Sequence, residues 1–90
     1  HGAPILNPSE RLKWLITHRR SRETAILEHL SLGPARPETL ARAIYTQTPP
    51  ALLGAATRNV LAHLIDLLGK NKVTCHSEPS EQAIFSRIDP

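Results

Sequence analysis

The residue types that this sequence lacks are informative from the outset. It has 90 residues without a single Met, and it opens on His1-Gly2-Ala3-Pro4. Because translation starts at Met, we expect the chain to be a fragment, an excised domain or a processed product of a longer protein. Its one cysteine, Cys75, cannot form an internal disulfide, which argues against a small secreted scaffold held together by disulfides.

Aromatic residues are also scarce, at 3% of the chain: Trp14, Tyr45 and Phe85. Hydrophobic residues make up 40%, enough for one modest core of Leu, Ile, Val and Ala. A charged fraction of 21% is too low for a disordered polyelectrolyte. No apolar run approaches the roughly 20 residues of a membrane helix, and no signal-peptide pattern is present. The composition therefore predicts one folded domain and argues against a membrane protein.

Basic residues exceed acidic ones by three, and the two kinds are distributed unevenly. Residues 1–32 hold five basic and three acidic side chains, residues 33–72 hold five and two, and residues 73–90 hold one and three. The densest basic cluster is the His-Arg-Arg-Ser-Arg run at 18–22. A uniformly basic face of the kind that binds phosphates strongly is therefore not expected.

Apolar residues recur at helical spacing in three segments. The first helix is expected to start with Asn7 as its N-cap and Pro8 in its first turn, and to stop before Gly33-Pro34 after about 24 residues. Residues 36–46 predict a short second helix, and a third runs from about 54 to 68. The side chains expected on the inner faces are Leu12, Leu15, Ile16, Ile26, Leu27 and Leu30, then Leu40, Ala43 and Ile44, then Ala56, Val60, Leu61, Leu64, Leu67 and Leu68.

The end of the chain favours strands over helices. Gly69 is expected just past the third helix, as the glycine that ends it. Residues 73–76 and 83–88 are β-prone, and the turn residues between them predict a hairpin. Residues 1–6 resemble an extended leading segment. The expected fold is mainly α, in the α+β class: a winged-helix-like three-helix domain with a long first helix and a C-terminal β-hairpin.

No residue pattern in this chain predicts a catalytic centre. The five His residues show none of the spacings of zinc ligands, and Cys75 lies in a predicted strand, where a small core residue is the usual role. No Gly-x-Ser-x-Gly nucleophile turn and no Gly-rich phosphate loop are present. We therefore expect no catalytic residues and no cofactor in this chain alone.

A winged helix also suggests nucleic-acid binding, which stays open as an alternative. The side chains expected on the outer side of the third helix, the recognition helix in such proteins, are Arg58, Asn59, Ala62, His63 and Asp66. That set is thin for phosphate or base contacts, and the hairpin tip carries Glu78 and Glu81, where DNA-binding wings usually carry basic residues. RNA is a more plausible partner than DNA, through weak contacts of Arg19, Arg20 and Arg22. Self-association through the third helix is a further alternative.

Two blocks of sequence resemble a known family. The first is HGAPILNP at 1–8 with LITHRRSRE at 15–23 and Ile26-Leu27; the second is IYTQTP at 44–49, with Ala56 and VLAHL at 60–64. Together they resemble the C-terminal winged-helix domain of metallo-β-lactamase-fold hydrolases of the lactamase-beta-like protein 2 type. The resemblance covers about residues 1–73, while the hairpin at the end is generic.

The resemblance implies a division of the chain and a parent enzyme. Residues 1–6 are then the end of an upstream metallo-β-lactamase-fold domain or its linker, and residues 7–90 are a winged-helix accessory domain. His1 matches a metal ligand of that upstream domain, so it is a ligand only in the full-length parent. The parent is expected to be a cytoplasmic hydrolase with two metal ions, zinc being expected, which attacks an ester, thioester, lactone or phosphodiester.

The resemblance also implies a partner and a contact surface. The partner is the protein's own N-terminal metallo-β-lactamase-fold domain, and the accessory domain is expected to shape its substrate cleft. Arg19, Arg22, Tyr45 and His63 lie in the matching blocks and are the residues expected at that interface or cleft. Each has an alternative local role: Tyr45 at the edge of the core, His63 satisfied within the helix, and the two arginines as solvated charges.

Overall fold

The computed structural model describes residues 8–88. Three helices are followed by a two-stranded antiparallel hairpin. The elements are α1 (Pro8–Leu30), α2 (Pro37–Ile44), a short 3-10 turn (Pro50–Leu52), α3 (Leu53–Gly69), β1 (Val73–Cys75) and β2 (Phe85–Arg87). This confirms the expected winged-helix class. The expected N-cap Asn7, the leading segment 1–6 and His1 lie outside the described residues.

Glycine and proline set the turn between α1 and α2, as the sequence predicts. Gly33 has a φ of 147°, a conformation that side-chain-bearing residues rarely adopt, and Pro34 follows it directly. Ala35 then exchanges backbone hydrogen bonds with Phe85, at 3.0 and 2.9 Å. Pro37 starts α2 at a position where its missing N–H is not needed. The loop after α1 is thereby fixed to the hairpin.

The end of α3 differs from the expectation for Gly69. Gly69 is the last helical residue, and the left-handed residue is Asn71, with a φ of 58°. The N–H of Lys72 donates to the carbonyl of Leu67 at 2.9 Å, and the N–H of Asn71 donates to the carbonyl of Leu68 at 3.1 Å. This is the Schellman arrangement, which satisfies carbonyls at the helix end. Asn takes the place of Gly because it tolerates the left-handed region better than most residues.

The core lies between the three helices and the hairpin. Val73 pairs with Arg87 and Cys75 with Phe85, so that the fully buried Phe85 ring joins the helical core. The core residues are Ile26, Leu30, Leu40, Ala41, Ala56, Val60, Leu64, Leu67, Val73, Ala83 and Phe85. Aliphatic side chains supply nearly all of it, as the composition predicts.

Several residues expected on inner faces are exposed or only half-buried. Leu12 and Ile16 in the first half of α1 are 58% and 42% exposed. Ala43 is exposed, and Leu61 is half-buried against the edge of the core. The expectation of inward packing is therefore wrong for Leu12, Ile16 and Ala43. The apolar stripe of a helix can extend beyond the elements that pack on that helix, and its residues there remain exposed.

One helical stretch has the length and hydropathy of a membrane-spanning helix, which the sequence analysis did not lead us to expect. Pro50–Gly69 is 20 residues long, and its most apolar window of 18 residues has a mean hydropathy of 1.3, so it is long and apolar enough to span a bilayer. In this fold the stretch supplies the central helix α3, whose Val60 and Leu64 are fully buried in the core. The stretch also carries Arg58 and Asp66. The core accounts for part of this hydropathy, while Leu52 and Ile65 in the same stretch are 55% and 50% exposed.

Candidate functional site

A buried carboxylate joins α1 to α3. The Glu23 side chain is 12% exposed, although Arg19, Arg20 and Glu28 on the same helix are exposed. Its Oε2 atom lies 3.5 Å from Arg19 Nε and 3.3 Å from His63 Nδ1, and its Oε1 atom lies 3.4 Å from Lys70 Nζ. Buried carboxylates require such partners, because an unpaired charge away from water is costly. Glu23 therefore ties His63 of α3, and Lys70 directly after α3, to the second half of α1.

Asp66 extends this network to the surface. Lys70 Nζ lies 3.0 Å from Asp66 Oδ2, and Arg19 Nη2 lies 3.5 Å from the same oxygen. The hydrogen bond from Lys70, helped by the nearby positive charges, lowers the pKa of the Asp66 carboxyl. The same hydrogen bond raises the pKa of Lys70. Two cations and two carboxylates thus neutralise one another between the helices.

Exposed apolar side chains lie on the two helices that carry this paired cluster. Leu12, Ile16 and Arg19 share one face of α1, since they are spaced four and three residues apart. Ile65, 50% exposed, adjoins Asp66 on α3. We refer to Leu12, Ile16, Arg19, Ile65 and Asp66 as the α1–α3 face. It combines accessible hydrophobic area with charges that already have partners.

A second arrangement lies where α1, α3 and the end of α2 meet. The Arg22 guanidinium carbon lies 4.3 Å from the centroid of the Tyr45 ring, within cation–π range. Asn59 Nδ2 donates a hydrogen bond of 2.9 Å to Tyr45 Oη. Arg22 Nε is buried and has no hydrogen-bond partner among residues 8–88. The stack therefore fixes a guanidinium whose own donors are incompletely used.

An open groove adjoins Tyr45 and Asn59. It has a volume of about 600 Å³ and runs along α3 past Ala55 and Ala62, with Leu52 at one end. None of its lining residues is acidic, and Arg58 is the charged residue among them. Small side chains along the groove let another chain approach α3 closely. The groove is accessible to a peptide rather than enclosing a small molecule.

The conserved pattern of one family matches the central part of this chain. The match is to the beta-lactamase associated winged helix domain, and it covers residues 37–81, which is half of the sequence. Those residues contain α2, α3 and β1 and reach the loop before β2. The chain belongs to this family. The α1 helix, which carries Arg19 and Arg22, precedes the matched segment of this beta-lactamase associated winged helix domain.

The winged helix domain places its predicted interface residues in two groups. Arg19 is 56% exposed but is paired with Glu23 and Asp66, and Arg22 and Tyr45 form the stack described above. His63 was expected on the outer side of α3, and that expectation is wrong, since the residue is 6% exposed and faces Glu23. His1, the predicted ligand in the parent, lies outside the described residues.

Other functional candidates in this winged helix domain were missed or underused by sequence reasoning. Asn59 was expected only in nucleic-acid contact, and Lys70 was not among the expected site residues. In the fold, Asn59 orients Tyr45, and Lys70 bridges Glu23 and Asp66. Within residues 8–88, no group of three or more His, Cys, Asp or Glu side chains is placed to hold a metal ion.

Proposed function

We propose that this winged helix domain is a non-catalytic accessory domain that packs on the metal-hydrolase domain of a metallo-β-lactamase superfamily protein and shapes its substrate cleft. Membership of the beta-lactamase associated winged helix domain family supports the choice of partner. In that parent, His1 is the expected metal ligand from this chain, and zinc is the expected metal. Hydrolysis is then a property of the neighbouring domain.

The α1–α3 face is the observation that carries this proposal. Leu12, Ile16 and Ile65 are each between 42% and 58% exposed, although large aliphatic side chains contribute most when buried. Arg19 and Asp66 between them are already paired. A partner therefore need not supply counter-charges and gains by covering apolar area, which is typical of an interface between domains of one protein.

The described charges favour this function over nucleic-acid binding. Arg19 is engaged by Glu23 and Asp66, so it is not free to neutralise phosphate. Glu78 at the hairpin tip is exposed and adds negative charge where a wing approaches a backbone. Nucleic-acid binding remains the alternative function, and the salt dependence of the affinity for RNA distinguishes it from docking.

The alternative is supported if the chain binds RNA with micromolar affinity, if this affinity falls steeply as salt is added, and if Arg20→Gln and Arg22→Gln abolish the binding.

Substitutions on the α1–α3 face test docking directly. The chain is expressed joined to the metal-hydrolase domain of its parent, and Leu12→Asp and Ile16→Asp are introduced together. We expect separate unfolding of the two domains, faster proteolysis between them and an altered KM. Leu32→Asp is the matched control, because Leu32 is 85% exposed in the turn after α1, away from this face.

The proposal is contradicted by two results. In the first, the two domains of the double variant unfold together in a single step, as in the unsubstituted protein, and the KM of the enzyme is unchanged. The other is an equal effect of Leu32→Asp, which indicates a general response to added negative charge rather than loss of an interface. The isolated variant must retain its helical circular dichroism, so that misfolding is separated from lost docking.

A further inference from the structure

Arg22 is held against an aromatic ring, whereas Arg19 and Arg42 are held by carboxylates. Arg19 pairs with Glu23, and Arg42 pairs with Glu38. No carboxylate among residues 8–88 pairs with Arg22, which instead stacks on an aromatic ring. An arginine held in place but left unpaired is available to an anion from outside the domain.

The stack is maintained at a cost to the fold. Arg22 Nε is buried without a hydrogen-bond partner among the residues described, and buried donors of this kind are uncommon in folded proteins. Tyr45, which supplies the stacking surface, is itself held by the hydrogen bond from Asn59. The guanidinium plane is therefore set by packing before any ligand arrives, which lowers the entropic cost of binding.

The groove next to Tyr45 indicates what kind of molecule the anion belongs to. Its surface along α3 is formed by Ala55 and Ala62, which leave room for an extended backbone. Its lining contains no acidic residue to repel an anion, and its one cation is Arg58. Arg22 is not part of the lining but stacks on Tyr45, which is. A polyanion such as RNA is favoured by several adjacent unpaired cations, and this surface offers few. A peptide with one or two carboxylates matches it better.

We propose that Arg22, Tyr45 and the groove beside Asn59 form a binding site for an acidic peptide segment of a partner protein. The outer N–H groups of the Arg22 guanidinium donate to a Glu or Asp carboxylate, and the segment's backbone lies over Ala55 and Ala62. A planar guanidinium matches a planar carboxylate through two parallel hydrogen bonds. The site shares no residue with the α1–α3 face, and the peptide test does not depend on docking there.

Two peptides that differ in one group provide the test. Acetyl-Ala-Glu-Ala-amide and acetyl-Ala-Gln-Ala-amide are titrated at constant ionic strength into the 15N-labelled chain. We expect saturable shifts of the Arg22 Nε–H and Asn59 side-chain amide signals with the Glu peptide and at least about tenfold weaker binding of the Gln peptide. Inorganic phosphate is titrated in parallel and is expected to bind more weakly than the Glu peptide.

Variants separate recognition from general charge. Arg22→Gln is expected to weaken Glu-peptide binding by about tenfold or more, and Arg22→Lys also weakens it, because Lys keeps the charge but lacks the planar fork. Arg20→Gln is the matched control, since it removes an equal charge from an exposed position two residues away. Tyr45→Leu removes the stacking surface and is expected to weaken binding while all charges remain.

Four outcomes overturn the proposal. They are equal binding of the Glu and Gln peptides, tighter binding of phosphate than of the Glu peptide, an equal loss in Arg20→Gln and Arg22→Gln, or no saturable shift at Arg22 and Asn59. The first and last need only the unsubstituted chain, so an unstable variant does not leave the question open. None of these results bears on docking through the α1–α3 face.

Discussion

Replacing Glu23 with Ala tests whether a polar contact sets the position of α1 on α3. The substitution removes the carboxylate that Arg19, His63 and Lys70 all contact. Arg19 and Lys70 keep Asp66 as a partner, and both are more than half exposed, so that water compensates them. The His63 ring has no such compensation, because it is 8% exposed.

The expected cost follows from this difference between the partners. A buried polar group that loses its partner costs about 1–3 kcal/mol, and complete removal of one member of a buried ion pair costs about 3–5 kcal/mol. Because the two cations of the Glu23 cluster stay solvated and paired, the lower range applies. We expect Glu23→Ala to lower the free energy of unfolding by about 1–3 kcal/mol. Glu23→Gln is expected to cost less, since its amide oxygen can still accept from His63.

Urea denaturation followed by circular dichroism measures this free energy. The matched control is Glu38→Ala, which removes an exposed carboxylate paired with Arg42 at 3.4 Å four residues along α2. Exposed pairs of this kind contribute about 0–1 kcal/mol. If Glu23→Ala costs no more than Glu38→Ala, the conclusion that the buried network holds α1 to α3 is refuted.

Three further predictions concern the core, the end of α3 and acid stability. Leu64→Ala is expected to cost about 2–5 kcal/mol in urea unfolding, and Leu61→Ala less, because Leu64 is fully buried and Leu61 only half-buried. Asn71→Gly is expected to maintain or raise the thermal midpoint and Asn71→Ala to lower it, since φ is 58°. Because the pKa of Asp66 is lowered in the folded state, Asp66 stabilises the fold above pH 3.8, its ordinary pKa, and this stability is lost as the pH falls through the folded-state pKa. The free energy of unfolding of Asp66→Asn is therefore expected to depend less on pH in this range than that of the unsubstituted chain.

The order and bounds of the helices could be predicted from the sequence because local signals mark them. Pro37 and Gly33 set the turn between α1 and α2, and the apolar spacing of α3 gives its span to within a residue at each end. Asn71 was missed as the residue that ends α3, since the sequence offered Gly69 two positions earlier. Local residue types predict that a helix ends near a given position. Which of the neighbouring residues adopts the left-handed conformation depends on how the next segment packs.

The contact between Glu23 of α1 and His63 of α3 could be predicted only by considering the two residues together. His63 lies seven residues after Ala56 and four before Leu67, so it shares the buried stripe of α3. Glu23 likewise lies three residues before Ile26 on the buried stripe of α1. A carboxylate and an imidazole on two facing apolar stripes are complementary. Assigning His63 to the outer side by polarity alone therefore led to the wrong placement.

Periodicity cannot show where the neighbours of a helix stop, and α1 illustrates this. The helix is 23 residues long, or about 35 Å, and the Glu23 network lies past its midpoint. Beyond that network, Ile26 is buried in the core; before it, Leu12 and Ile16 continue the apolar pattern with no cover from α3. An isolated helix gains little stability without a packed apolar face. A surface outside the described residues would cover this half of α1, and the proposed docking through the α1–α3 face would place the hydrolase domain there.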